Sequence, residues 1–236
     1  MTPKERLIVA LDVDTQKKAL SLVERLKAEV EIFKIGSELF TSCGPGIVSA
    51  VKSRGCGIFL DLKFHDIPNT TSKAAVAATK MGVSIINFHA LGGYDMMKRA
   101  KEAVVIEAEE LKIERPKLIA VTILTSMNRN GLKKTGINDN MKKEVLKLAA
   151  LAKEAGLDGV VASASEVKLI RKHLGDYFTI ITPGVRPEWA VANDQKRIAT
   201  PKEAVLNGAT YIVVGRPIVE APDPLAAAKR VLEEMK

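Results

Sequence analysis

Short apolar runs rich in β-branched residues recur eight times along the chain and predict eight β-strands. Within each run the apolar residues are nearly continuous instead of alternating with polar ones, which is typical of parallel strands buried on both faces. The predicted strands cover residues 7–13, 31–36, 57–63, 83–90, 117–124, 159–163, 178–183 and 211–215.

Segments with apolar residues at helical spacing separate these runs and predict helices. The predicted helices cover residues 15–28, 71–81, 95–111, 140–155, 166–174, 201–207 and 224–235. A glycine often stands between a helical segment and the next strand, as at Gly82 and Gly156, where it would serve as a helix C-cap.

The alternation of strand and helix predicts an α/β protein with a (β/α)8 TIM barrel of parallel strands, in one domain over residues 1–236. An open doubly wound sheet is the alternative. Against it, the first strand–helix turn, at residues 12–15, lacks the Gly-rich fingerprint of a dinucleotide-binding site.

The composition indicates an ordinary globular protein. Of the 236 residues, 47% are hydrophobic and 27% charged, which is enough for a substantial core. No run reaches the roughly 18 apolar residues that a membrane span needs, and the N-terminal apolar stretch is typical of a first strand and not of a signal peptide. Cys43 and Cys56 belong to no disulfide framework and no zinc motif, so a reducing, cytoplasmic location is expected.

The net charge of +8 favours anionic partners, either nucleic acid or small phosphorylated ligands. The lysines are scattered along the predicted helices instead of forming one basic stripe. The aromatic fraction is only 4%, which supplies few platforms for base stacking. We therefore expect no nucleic acid and no membrane as partner, and favour a small anionic substrate.

Charged residues stand where several of the predicted strands end. The catalytic residues of a barrel lie at the carboxyl ends of its strands, which is where Asp12, Lys34, Asp61 and Lys63 are found. Residues two apart share a face of a strand, so Asp61 and Lys63 should both point into the barrel. Inward charges are costly unless they are paired, and the sequence therefore predicts a network of lysines and aspartates.

Structural explanations exist for some of these residues. The Asp61–Lys63 pair could merely stabilise the barrel, and Asp12 could cap the following helix. Polar residues also lie at the ends of the fourth and fifth predicted strands: His89 could be an interior histidine with satisfied hydrogen bonds, and Ser126 could be a turn residue. Charges at so many strand ends favour a functional site over a structural one.

A phosphate site is predicted after strands seven and eight, where Arg186 and the pair Gly215–Arg216 follow the strand ends. Glycine allows close approach of the backbone, and guanidinium groups bind phosphate in a bidentate manner. Arg216 could instead form a surface salt bridge. The polar stretch 186–197 predicts a lid over the ligand, with Gln195 as a hydrogen-bonding residue; residues 126–140 could form a second lid or a solvated connection.

The residues 61–70, with the sequence DLKFHDIPNT, resemble the signature of orotidine 5′-phosphate decarboxylases. The Asp-x-Lys-x-x-Asp core is shared with sugar-phosphate relatives, whereas the longer string is specific. Further matching segments cover essentially the whole chain, at residues 8–13, 33–36, 121–126, 183–186, 194–197 and 214–218.

This resemblance implies decarboxylation of orotidine 5′-monophosphate to uridine 5′-monophosphate, the last step of de novo pyrimidine synthesis. It implies a homodimer that needs neither metal nor organic cofactor. Lys63 would protonate C6 of the pyrimidine. Lys34, Asp61 and Asp66 would complete a charged tetrad, with Asp66 reaching in from the partner subunit.

The same resemblance assigns the substrate-binding residues. Asp12, Lys34 and Thr70 would bind the ribose, Thr70 from across the subunit interface. The remaining binding residues would be Thr125 and Ser126 at the pyrimidine edge, Arg186, Gly215 and Arg216 at the phosphate, and Gln195 as a bridge between base and phosphate.

Three other functions remain as alternatives. A Mg²⁺-dependent sugar-phosphate decarboxylase or aldolase of the same superfamily would be sensitive to chelators. A basic nucleic-acid-binding protein would show a steep salt dependence, and the scattered lysines argue against it. Inward charges at the strand ends argue against a barrel that serves only as a scaffold.

Overall fold

The computed structural model of the protein describes residues 1–138, 140–190 and 199–236. Eight parallel strands follow one another around a closed barrel, and β1 pairs with β8 to complete it. This confirms the predicted (β/α)8 architecture. The strands are β1 (Leu7–Ala10), β2 (Ile32–Gly36), β3 (Gly57–Phe64), β4 (Ile85–His89), β5 (Lys117–Val121), β6 (Gly159–Val161), β7 (Thr179–Thr182) and β8 (Tyr211–Val214).

Helices surround the barrel between successive strands. In chain order they are α1 (Pro3–Arg6), α2 (Gln16–Leu26), α3 (Ser37–Cys43), α4 (Gly46–Lys52), α5 (Pro68–Lys80), α6 (Tyr94–Leu111), α7 (Arg129–Lys134), α8 (Met141–Glu154), α9 (Val167–Leu174), α10 (Pro201–Leu206), α11 (Arg216–Val219) and α12 (Pro224–Glu234). Single 3-10 turns lie at Ala90–Gly92 and Glu188–Ala190.

The pattern did not predict the short helices. The connection between β2 and β3 holds α3 and α4, which are separated at Gly44, where φ is +66°, and Pro45. Each has seven residues, too few for a clear helical period. Helix α7 likewise occupies part of the segment 126–140 that was expected to be a lid or a solvated connection.

Several strands end earlier than predicted. β1 stops at Ala10 and not at residue 13, and β5 stops at Val121 and not at residue 124. After β1 the backbone bond from Leu11 N to the carbonyl oxygen of Lys34 continues the ladder by one residue. Beyond β5, Ile123 and Leu124 line the cavity at the mouth of the barrel, whereas Leu11, beyond β1, packs in the outer core. Hydrophobicity therefore continues where strand pairing does not.

The core has two layers. Outward-facing strand residues pack against the helices, while inward-facing residues fill the barrel itself, as the two-residue period of a strand requires. The buried interior residues are Ile8, Ala10, Phe59, Ile85, Ile119, Ile181, Tyr211 and Val213. Among the described residues no helix is both long and apolar enough to cross a bilayer.

Arginine side chains join neighbouring segments at the amino-terminal ends of the strands. Arg115 makes a bidentate pair with Asp158, at 2.7 and 2.6 Å, and Asp158 also accepts the Leu118 N–H at 2.7 Å. Arg171 donates to the carbonyl oxygens of Gly208 and Phe178. These bonds stabilise the end of the barrel opposite the strand carboxyl ends.

Candidate active site

A polar layer lies above the apolar interior of the barrel. Lys34 continues the inward row of β2 above Ile32, and Asp61 continues that of β3 above Phe59. Because alternate residues of a strand share a face, the apolar residues below fix where these charges point. The barrel interior thus places an ammonium and a carboxylate on adjacent strands at its carboxyl end.

Four side chains form a chain of alternating charge. Lys34 Nζ lies 2.9 Å from Asp12 Oδ1 and 3.3 Å from Asp61 Oδ2, and Lys63 Nζ lies 2.7 Å from Asp61 Oδ1. The side chains of Lys34 and Asp61 are 11% and 13% exposed, while those of Asp12 and Lys63 are 50% and 36% exposed. The structure therefore brings these four predicted residues together, with the middle of the row buried and its ends open to the mouth.

Lys63 owes its position to an irregularity in β3. Between the pairs Leu60–Ile86 and Phe64–Phe88, β3 advances four residues while β4 advances two. Lys63 lies in this bulge with φ of +50°, a left-handed conformation that costs a lysine about 1 kcal/mol. The simple alternation expected from the sequence is thus interrupted, yet both Asp61 and Lys63 still face the mouth.

Sequence reasoning missed Asn87, which holds this bulge. Asn87 is fully buried on β4, two residues above the interior residue Ile85. Its Oδ1 accepts the backbone N–H of Lys63 at 2.8 Å, and its Nδ2 donates to Asp61 Oδ1 at 2.6 Å. A single amide inside an otherwise apolar run, in phase with inward-facing residues, was the available signal.

Two glycines allow close packing around the charged row. A Cβ built on Gly36 would lie 2.9 Å from Lys34 Nζ, so the missing side chain leaves space for the ammonium. A Cβ on Gly215 would lie 3.4 Å from Asp12 Oδ2. The backbone after β8, where a phosphate site was predicted, therefore adjoins the charged row.

A cavity of about 200 Å³ opens above the charged row. One side carries the charges and the other side is apolar, an arrangement that fits a flat ring with polar substituents. Thr125 lines this cavity, whereas Ser126 is exposed and lies outside its lining. The lining residues are Lys34, Phe59, Asp61, Lys63, Val121, Ile123, Leu124, Thr125, Val161, Ile181, Pro183 and Val213.

Two guanidinium groups follow the ends of β7 and β8. Arg186 is half-buried, and its backbone N–H bonds the carbonyl oxygen of Ala199 at 3.1 Å. Arg216 is exposed as the first residue of α11. Within the described ranges neither guanidinium has a hydrogen-bond or ion-pair partner, so both can receive an anion. Gln195 lies outside the described residues.

Asp66 and Thr70 do not join the charged row of their own chain. Both are exposed, around the start of α5, and Asp66 Oδ1 accepts the N–H of Ile67 at 2.6 Å. Across the part of the chain that the structure describes, Asp66 makes no ion pair with Lys34 or Lys63. Their assignment to a neighbouring subunit's site stays a prediction.

His65 and His89 stack beside the bulge, with ring centroids 5.4 Å apart. His89 Nδ1 is buried and has no partner in the described structure, which is contrary to an interior histidine with satisfied hydrogen bonds. Burial, the neighbouring His65 and the Lys63 ammonium all lower the pKa of His89. The neutral imidazole is therefore the favoured form in the folded protein.

Comparison with known proteins agrees with this geometry. A family model described as "Orotidine 5'-phosphate decarboxylase / HUMPS family" matches residues 5–231. Orotidine 5′-phosphate decarboxylases from Trichlorobacter lovleyi and Geotalea daltonii are 52% and 50% identical to this chain, each over 98% of it and over 95% and 96% of the relative.

A solved structure shows the same similarity. The crystal structure of orotidine 5′-phosphate decarboxylase from Lactobacillus acidophilus has a TM-score of 0.87 and 40% identity, and the match covers 98% of this chain and 99% of that one. Sequence and structure thus agree over nearly the full length of both chains. This chain belongs to the orotidine 5′-phosphate decarboxylase / HUMPS family.

Proposed function

We propose that this protein converts orotidine 5′-monophosphate to uridine 5′-monophosphate and carbon dioxide, the closing step of pyrimidine nucleotide synthesis. Its family makes it an enzyme of the carbon–carbon lyase class. The observation that carries the proposal is the row Lys34–Asp61–Lys63 beside a cavity of ring size.

The chemistry requires a cation at a fixed place. When the bond from C6 to the carboxylate breaks, carbon dioxide leaves and its bonding electron pair stays on C6 with little delocalisation. The Lys63 ammonium stabilises this charge and then donates its proton to C6. Because Asp61 already holds the ammonium at 2.7 Å, little reorganisation is needed during the reaction.

Asp61 also acts on the substrate carboxylate in this proposal. Its carboxylate would lie near that of the substrate, and the repulsion would be relieved as carbon dioxide departs. Lys34, 3.3 Å from Asp61 and 2.9 Å from Asp12, pairs with both aspartates and orients them. The half-exposed Asp12 carboxylate would bind the ribose together with Lys34.

The rest of the nucleotide would occupy the mouth. Thr125, with Ser126 nearby, would contact the pyrimidine edge, and Thr125 lines the cavity. The guanidinium groups of Arg186 and Arg216, which have no partner among the described residues, would bind the phosphate together with the Gly215 backbone. Gln195 would bridge base and phosphate. Phosphate binding far from C6 can be used to raise the rate as well as the affinity.

The proposed enzyme works as a homodimer with shared active sites, in the cytoplasm, with residues 1–236 as one catalytic domain. The exposed Asp66 and Thr70 would enter the partner's site, where Asp66 completes the tetrad. Ile67, which follows Asp66 in the chain, is 65% exposed, and Leu91, which follows β4, is 45% exposed; both are apolar side chains suited to burial between subunits.

A charged surface lies close to Ile67, beside the next residue in the chain. Asp95, Lys98, Arg99 and Glu102 line a groove beside Pro68, where α5 packs against α6. Acidic and basic groups on one surface can pair with their counterparts across a twofold axis. The surface is therefore suited to a second copy of this chain.

The loss of ultraviolet absorbance of orotidine 5′-monophosphate tests the proposed reaction, with purified protein in excess EDTA. We expect rapid conversion to uridine 5′-monophosphate. No loss in EDTA, followed by activity on a sugar phosphate when Mg²⁺ is added, would show the metal-dependent alternative instead.

A variant tests whether the charged row carries out the reaction. Lys63→Ala should lower kcat by at least about 1,000-fold, since it removes both the cation and the proton donor. Uridine 5′-monophosphate should still bind. Lys168→Ala, which removes an exposed lysine of α9, is the matched control and should keep full turnover. Near-normal turnover by Lys63→Ala would refute the assignment.

A further inference from the structure

The Asn87 amide is buried between the two functional residues of β3. The residue has no exposed surface, and it does not line the cavity above the charged row. Its two polar atoms are nevertheless both used, one by the Asp61 carboxylate and one by the Lys63 backbone.

These two partners permit one orientation of the amide. The Lys63 N–H can only donate and the Asp61 carboxylate can only accept, so Oδ1 must face the first and Nδ2 the second. The opposite orientation would place oxygen against oxygen at 2.6 Å. The bonds at 2.8 and 2.6 Å therefore tie the backbone of Lys63 to the side chain of Asp61.

The bulge in β3 needs hydrogen bonds from a neighbouring strand to hold it. Between Leu60 and Phe64 the regular pairing with β4 is interrupted, and Lys63 has a left-handed backbone that lysine adopts reluctantly. Asn87 supplies from β4 the acceptor that an uninterrupted ladder would otherwise provide. The bond from its Nδ2 also fixes the oxygen of Asp61 that binds the Lys63 ammonium.

We propose that Asn87 is a positioning residue for the reaction, acting through Asp61 and Lys63 and without touching the substrate. The inference rests on the proposed decarboxylation. Asn87 holds the Lys63 ammonium and the Asp61 carboxylate at the geometry that the departing carbon dioxide requires. Leucine could not form either bond, and aspartate would place a second carboxylate against Asp61.

The first test is Asn87→Ala, measured for kcat, for affinity towards uridine 5′-monophosphate and for thermal stability. Without the amide, the Lys63 ammonium and the Asp61 carboxylate should shift by up to about 1 Å, and such a shift should lower kcat about 100-fold. Product affinity should not change, because the contacts of the nucleotide remain. Asp158→Asn, at the far end of the barrel, is the control that lowers stability while leaving kcat intact.

A second variant reports on the hydrogen bonds themselves. In Asn87→Asp, a protonated side chain can still donate to Asp61 and accept from Lys63, whereas an ionised one repels Asp61. Its kcat should approach that of the native enzyme at low pH and fall as pH rises. The native enzyme should lack this limb. A purely structural effect would not produce it.

The outcomes separate the two proposals. A native protein that does not decarboxylate orotidine 5′-monophosphate refutes the proposed function. A native protein that does so, together with Asn87→Ala at full kcat, refutes the positioning role. So does an Asn87→Ala variant whose loss of kcat is accompanied by an equal loss of product affinity, or an Asn87→Asp variant without the new pH limb.

Discussion

Replacing Gly36 with alanine perturbs the Lys34 ammonium directly and leaves the backbone unstrained. The φ of Gly36 is −92°, which any residue adopts, so a new methyl group introduces no conformational penalty. That methyl would lie 2.9 Å from Lys34 Nζ, closer than the 3.4 Å at which ordinary contact begins. The end of the flexible lysine must move by about 0.5 Å.

The size of the effect follows from the two ion pairs of Lys34. If the ammonium moves away from both Asp12 and Asp61, lengthening the contacts of 2.9 and 3.3 Å by about 0.5 Å weakens them by roughly 1.5 kcal/mol at an effective dielectric constant of 20. This is an upper bound, because the lysine can choose a less costly direction. If the whole loss appears in the transition state, kcat/KM falls about tenfold.

Steady-state kinetics on orotidine 5′-monophosphate, with a thermal melt of the same samples, measures this prediction. Gly36→Ala should lose measurable kcat/KM, by no more than about tenfold, and its Tm should fall by no more than about 3–6 °C, which is what the loss of about 1.5 kcal/mol costs a chain of this size. Gly46→Ala is the matched control, since nothing lies within 4 Å of its added methyl. Full activity in Gly36→Ala would refute the reasoning, and so would a large fall in its Tm, because the methyl would then disturb more than Lys34.

Three further predictions concern other parts of the molecule. Arg216→Ala should weaken binding of uridine 5′-monophosphate, measured by calorimetry, about 10- to 100-fold, because charge-assisted hydrogen bonds to the phosphate are lost. Binding of uridine, which has no phosphate, should not change. Undiminished binding of uridine 5′-monophosphate by the variant would contradict the proposed phosphate site. For Asp158, burial opposes ionisation, but the bonds from Arg115 and the Leu118 N–H outweigh it and hold the pKa of the carboxyl below its usual value. Its pairing therefore stabilises the fold at neutral pH and is lost as pH falls through that lowered value; Asp158→Asn should lose about 2 kcal/mol, or 4–8 °C in Tm, with kcat unchanged. Because the pKa of His89 is lowered in the folded protein, the unfolded chain binds the proton more readily, and the free energy of unfolding should fall as pH drops below about 6.5. In urea titrations, His89→Gln should show a shallower fall with pH than the native protein. Parallel curves for the two proteins would contradict this prediction.

The parts of the fold that repeat were predictable. The strand period fixes that Lys34 lies above Ile32 and Asp61 above Phe59, so the inward charges could be placed from apolar neighbours alone. The closed barrel followed from the alternation of strands and helices. These features depend on local pattern, which a single sequence contains.

The parts that depend on contacts between distant segments were not predictable. Arg115 and Asp158 lie 43 residues apart, and Asn87 lies 24 residues from the backbone that it holds. An amide at an inward position of an apolar strand marks Asn87 itself, but nothing local marks which residues it or Arg115 will bond. The sequence also does not indicate the left-handed backbone of Lys63. This conformation is unfavourable for lysine and is maintained by the surrounding bonds.

The outward position of Asp66 and Thr70 has a consequence for how the enzyme responds to its own concentration. If each site is completed by a neighbouring chain, specific activity follows mass action and not merely the amount of protein. At a total chain concentration equal to the dimer dissociation constant, half of the chains are monomeric and lack a complete site. Activity per chain then declines on dilution, and nucleotide, by bridging two chains, opposes that decline.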